Sequence, residues 1–103
     1  MVNLLEEIGI PVKYHHHETR GPGQSEIEIP MMGLLAAADA ALTIKYVTRM
    51  VANQAGKSVT YLPKPLCGEA GSGMHFHQQL FSSNTNLFYD PDNTNLISQA
   101  ALY

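Results

Sequence analysis

The sequence predicts an α+β domain in which antiparallel strands pack with one long buried helix. Three observations carry this. Residues 34–54 hold apolar side chains at helical spacing. Residues 12–19 and 25–29 read as strands on either side of Gly21-Pro22-Gly23, strong turn punctuation that makes the pair a hairpin. Residues 58–62 and 74–81 read as two further strands, so the order is helix–strand–strand–helix–strand–strand–helix, which suits an antiparallel sheet.

The elements follow in order. Val2 to Ile8 is a short amphipathic helix stopped by Gly9, with Pro11 just beyond. Ser25 to Ile29 alternates polar and apolar residues, the period of a strand with two unlike faces. In the long helix Leu35, Ala38, Leu42, Tyr46 and Met50 make one stripe, widened by Ala37, Ala41, Ile44, Val47 and Val51; Gly56 closes it. So apolar a helix is expected to be well buried, in part against the sheet and in part against something these residues do not supply. Pro63 and Pro65 end the strand at 58–62. In the strand at 74–81, Met74, Phe76 and Gln78 share one face and His75, His77 and Gln79 the other. Residues 82–95 read as polar loop with a tight turn at Asp90-Pro91-Asp92-Asn93, and residues 95–103 as the first turns of a helix.

Composition narrows the function classes. The 103 residues make at most one small domain with a modest core. Six basic against nine acidic residues leave no electrostatic footprint for nucleic acid or an anionic membrane. Asp39, Lys45 and Arg49 interrupt the most apolar segment, which argues against a membrane span. The lone Cys67 cannot form an internal disulfide, as suits a reducing cytoplasm.

Two clusters carry chemistry. If the hairpin turn centres on Pro22, Glu18 stands opposite Glu26 and His16 opposite Glu28. Carboxylates facing each other across a ladder repel unless a cation lies between them. Hard oxygen donors suit Mg²⁺ or Mn²⁺, and an added imidazole tilts the site toward Mn²⁺. Alternation sends His15 and His17 away from His16, so those two are expected to be structural neighbours. The second cluster is Gly71-Ser72-Gly73-Met74-His75-Phe76-His77, where bare glycines can expose backbone N–H groups to an anion. His75 and His77 could chelate zinc, but zinc wants further nitrogen or sulfur ligands. A carboxylate-rich Mg²⁺ or Mn²⁺ centre with one histidine fits better.

In order and spacing these pieces resemble a stretch of glutamine synthetase, most similar to the type I enzymes. The resemblance rests on His15-His16-His17-Glu18, Gly23-Gln24-Ser25-Glu26, Asp39 with Lys45-Tyr46, Leu62-Pro63-Lys64-Pro65, residues 71–77 and Asn86-Leu87-Phe88-Tyr89-Asp90. It spans nearly the whole chain and implies a piece, residues 1–103, of the catalytic domain, without the amino-terminal small domain and the carboxy-terminal remainder. It also implies an ATP-dependent ligase that joins glutamate and ammonia through γ-glutamyl phosphate, with two or more Mg²⁺ or Mn²⁺ ions per site. Glu18 and Glu26 would ligate the metal nearer glutamate and His75 the metal on the ATP phosphates. His77 and Gln79 would lie near the nucleotide and Gly71 near the glutamate amino-acid group. No catalytic residue is assigned within this stretch. The implied assembly is a cytoplasmic homo-oligomer of two stacked rings.

The chain departs from the pattern at three places: Ala70 stands where the family usually has Asn, Gln79 where serine is common, and Lys13 where an acid is frequent. Arg20 and Arg49 match none of the family's site arginines. The 103 residues alone are therefore expected to be inactive. Two other readings remain at this level: a glutamyl-amine ligase of the same family, and a non-catalytic metal- or nucleotide-binding module.

Overall fold

The computed structural model describes residues 1–19 and 21–102. Arg20 and Tyr103, which the sequence reading puts in the hairpin turn and in the last helix, lie outside the described residues.

Helix α1 spans Val2–Glu7 and ends as its sequence requires. Gly9 takes φ +86°, the Ile10 amide donates to the Leu5 carbonyl at 2.8 Å and the Gly9 amide to Glu6 at 3.0 Å. This is a Schellman closure, and its usual apolar contact is the pair Leu5 and Ile10, both in the core. Helix α2 spans Leu34–Gln54 and closes in the same way, with Gly56 at φ +68° and the Lys57 amide on the Ala52 carbonyl at 2.8 Å.

Strands β1 (Tyr14–His17) and β2 (Ser25–Glu28) pair antiparallel. The register pairs His16 with Glu26 and Tyr14 with Glu28, two residues away from the sequence expectation. The turn is the cause. The Gln24 amide donates to the Gly21 carbonyl at 3.0 Å with Gly23 at φ +79°, a turn with Pro at its second position and Gly at its third. The Glu18 amide then meets the Gln24 carbonyl at 3.0 Å, so the connection centres on Gly21 rather than Pro22.

Two expected strands do not form. Residues 58–62 and most of 74–81 run without ladder partners, and a strand exists only by its partner's hydrogen bonds. What forms instead is a short hairpin in the expected loop, β3 (Phe81–Ser82) with β4 (Thr85–Asn86). Ser83 and Asn84 both have positive φ, 46° and 69°, as its two-residue primed turn demands. The turn at Asp90 forms, with the Asp92 amide on the Asp90 carboxylate at 3.0 Å. The terminal helix is only a 3₁₀ turn, Gln99–Ala101. The fold remains α+β with antiparallel pairing.

The burial of α2 is one-sided, as expected for a helix covered in part by something outside these residues. The core is Leu5, Ile10, Ala40 and Val47, with Val12, Ile27, Ile29, Met32, Ile44 and Val51 against it. Thus α2 buries its flank at 40, 44, 47 and 51. The stripe read as core is open: Leu35 is 76 %, Leu42 70 % and Tyr46 64 % exposed. The chain shows 8365 Å² of surface, against about 5,700 Å² for a compact monomer of its mass. Its radius of gyration is 17.5 Å, against about 13 Å for this length. Among the described residues this flat molecule leaves the α2 stripe at Leu35, Leu42 and Tyr46 largely uncovered.

Residues 57–62 are tethered by Tyr61. Its hydroxyl hydrogen-bonds Thr48 Oγ1, while Lys45 Nζ and the Arg49 guanidinium lie 5.6 and 5.2 Å from its ring centre. Arg49 thus has a structural role. Two substitutions separate the faces of α2. Val47→Ala should lower stability by about 1–3 kcal/mol, while Leu42→Gln should change it by less than about 0.5 kcal/mol, as read by urea denaturation.

Candidate metal centre

A register offset of two residues returns every side chain to its original face, because the strand period is two. Tyr14, His16, Glu18, Gln24, Glu26 and Glu28 therefore still share one side of the hairpin. Glu26 faces His16 directly and Glu18 diagonally. One ligand atom from each of His16, Glu18 and Glu26 lies within 4.8 Å of the others. From sequence His16 falls on this face without being assigned as a ligand; its parity with Glu18 is the signal that marks it.

Two carboxylates and an imidazole at this separation are the donor set of a divalent cation that accepts oxygen and nitrogen. His16 Nδ1 lies 3.0 Å from the His17 carbonyl and 3.7 Å from Glu18 Oε1. The carbonyl raises the His16 pKa above 6.5 by holding the proton, and the charges of Glu18 and Glu26 add to this against the opposing desolvation. A metal at that nitrogen must displace the proton, so the two compete.

Beside the triad is a supporting group. Lys13 Nζ pairs with Glu28 Oε1 at 2.5 Å. The Lys13 ammonium also lies 5.5 Å from the Tyr14 ring centre, and that ring stacks on His16 at 5.7 Å. Lys13 holds the Glu28 carboxyl below its ordinary 4.5, with the Tyr14 hydroxyl next and the charge of His77 contributing. Glu28 in turn raises the Tyr14 pKa, chiefly as its hydrogen-bond partner.

The other predicted site residues lie apart from the triad. His75 folds back over its own turn: a Cβ on Gly73 would stand 2.9 Å from His75 Nε2. His77 and Gln79 line an apolar groove with Leu34, Ala38 and Ala41 of α2. A Cβ on Gly71 would stand 2.7 Å from the Pro63 carbonyl oxygen, so that glycine permits a close backbone approach. Cys67 is exposed, and neither it nor the pair His75 and His77 enters the metal cluster found among the described residues.

The family model for the glutamine synthetase catalytic domain matches residues 1–103. The chain belongs to the glutamine synthetase family. It is 45% identical over 103 residues to a glutamine synthetase of Pseudomonas aeruginosa, covering 100% of this chain and 22% of that protein. A glutamine synthetase of Methanosarcina mazei is 42% identical over 99 residues, 96% of this chain and 22% of its own length. A 3-hydroxylaminophenol mutase of Cupriavidus pinatubonensis is 45% identical over 103 residues, again 22% of its length. The chain spans about a fifth of the length of these relatives. Among the described residues no helix is long and apolar enough to cross a membrane.

The depressed Glu28 pKa sets a sign. Stabilisation from Glu28 is present above its ordinary 4.5 and is lost as pH falls through the lower folded value. Lys13→Met should return the Glu28 titration, followed by carboxyl NMR, toward 4.5 and weaken the acid dependence of hairpin stability. No change in that titration would remove Lys13 as the cause.

Proposed function

We propose that this chain is a segment of the catalytic domain of a cytoplasmic, homo-oligomeric glutamine synthetase with two stacked rings, and that its hairpin holds a catalytic Mg²⁺ or Mn²⁺. The observation that carries the metal reading is the clustering of His16, Glu18 and Glu26 within 4.8 Å. Family membership supports the reaction: the γ-carboxylate of glutamate attacks the terminal phosphorus of ATP, ADP leaves, and ammonia then displaces phosphate from the acyl carbon.

Both partners in the first step are anions. A divalent ion supplies charge screening there. Glu18 and Glu26 hold it on the glutamate side, with His16 beside them. His75 serves the metal on the phosphate side, His77 and Gln79 the nucleotide, and the turn at Gly71 the amino-acid end of glutamate. Lys13 keeps Glu28 paired, so that carboxylate stays out of the ligand set.

The open stripe of α2 favours a piece of a larger domain over a stand-alone binding module, because a free module rarely leaves such a patch uncovered. The free thiol of Cys67 fits a reducing compartment.

Glu18→Gln and Glu26→Gln should each weaken Mn²⁺ binding, read by electron paramagnetic resonance, by more than the roughly 10–100-fold typical of an outer-shell partner. Unchanged affinity with an unchanged circular dichroism spectrum would overturn the centre. In a longer enzyme carrying this segment, Glu26→Ala and His75→Ala should each abolish ATP-dependent glutamine formation with folding retained. The purified 103-residue chain should form no glutamine; detectable product would sink that expectation.

A further inference from the structure

Gly71, in the glycine turn at residues 71–73, lies 47 residues beyond Gln24 of the hairpin, yet one side chain joins them. Gln24 Nε2 donates to the Gly71 carbonyl at 2.9 Å and to Ser72 Oγ at 3.1 Å. Among the described residues these are the hydrogen bonds that connect residues 14–28 with residues 57–102. Both amide protons of Gln24 are thus directed at one short turn.

Each side of this contact is shaped for it. A Cβ on Gly21 would lie 3.2 Å from both Cβ and Oε1 of Gln24, so glycine there gives the carboxamide room to fold across the hairpin end. On the far side the Ser72 amide donates to the Pro63 carbonyl at 2.7 Å, and Gly71 sits so close to that carbonyl that no side chain would fit. The turn is therefore held between Pro63 and Gln24. Gln24 also lies two residues before Glu26, and its carbonyl takes the Glu18 amide at 3.0 Å, so the clamp sits at the end of the hairpin that carries both carboxylates.

We propose that Gln24 is a positioning residue that clamps the 71–73 turn to the metal-binding face of the hairpin and so sets the spacing between Glu18 and Glu26 on one side and the His75 segment on the other. The clamp stands on its own geometry; its bearing on the metal centre rests on the function proposed above. Neither the turn punctuation nor the carboxylate pattern demands a glutamine at this position. A carboxamide offers two N–H bonds, one to a carbonyl and one to a hydroxyl, without adding charge.

The test compares Gln24→Met, neutral and of similar length but unable to donate, with Ser72→Ala, which removes only the second acceptor. In Gln24→Met the hydrogen exchange of the Ser72 amide should rise about tenfold, the size of one net hydrogen bond. Ser72→Ala should raise it less. The Glu18 amide, bound to the Gln24 main-chain carbonyl, should keep its protection in both and so report an intact hairpin. Unchanged Ser72 exchange in Gln24→Met with Glu18 protected would overturn the clamp.

Added Mn²⁺ supplies the second readout, because its broadening of nearby amide signals falls steeply with distance. In the parent chain Mn²⁺ should broaden Glu26 and the 71–73 amides together. In Gln24→Met the broadening at Glu26 should persist and that at 71–73 should weaken. Equal broadening of the turn in both proteins would overturn its positioning by Gln24. Absence of broadening at Glu26 in the parent would overturn the metal reading instead, while amide exchange would still decide the clamp.

Discussion

The connection from Glu18 to Gln24 is the constraint on which the site depends. It is closed by two backbone hydrogen bonds of 3.0 Å and by the positive φ of Gly23. Its centre fixes the register, and the register decides whether Glu26 faces His16 or Glu18. The structure chooses His16, which relieves the direct confrontation of two carboxylates by setting them diagonally. Repulsion at the remaining separation still favours a bound cation, and the imidazole adds the third donor.

The charges around this ladder divide the labour. Lys13 takes Glu28 into an ion pair at 2.5 Å, and Tyr14 beside them stacks on His16. Lys13 thereby places a positive charge beside the centre. With Glu28 neutralised by Lys13, the free negative charge on this face is concentrated on Glu18 and Glu26. Gln24 extends the same face to the glycine turn without adding charge.

Packing is thin by comparison. Leu5 is the one fully buried large side chain among the described residues, and the core joins α1, one flank of α2 and the inner residues of the hairpin. The apolar stripe through Leu35, Leu42 and Tyr46 stays open, and residues 74–80 run beside α2 without a ladder partner. Both facts have one physical reading. Helical periodicity reports which side chains avoid water, while the neighbour that removes them from water must come from elsewhere in space. In the same way, a run of strand-forming residues reports a conformation but not the strand that pairs with it.

By itself the sequence determined the local geometry: both Schellman closures through Gly9 and Gly56, the span of α2, the hairpin around Gly21-Pro22-Gly23 and the Asx turn at Asp90. Each depends on residues within a few positions of one another, where chain sterics leave few options. It also determined that Glu18, Glu26 and His16 share a face, because a two-residue period survives a two-residue error in register. Tertiary structure alone decided which flank of α2 is buried, that His16 completes the triad, and that His75 turns back over Gly73. It alone joined Gln24 to Gly71 as well. These relations link residues far apart in the chain, and their energies depend on distances that no local pattern encodes.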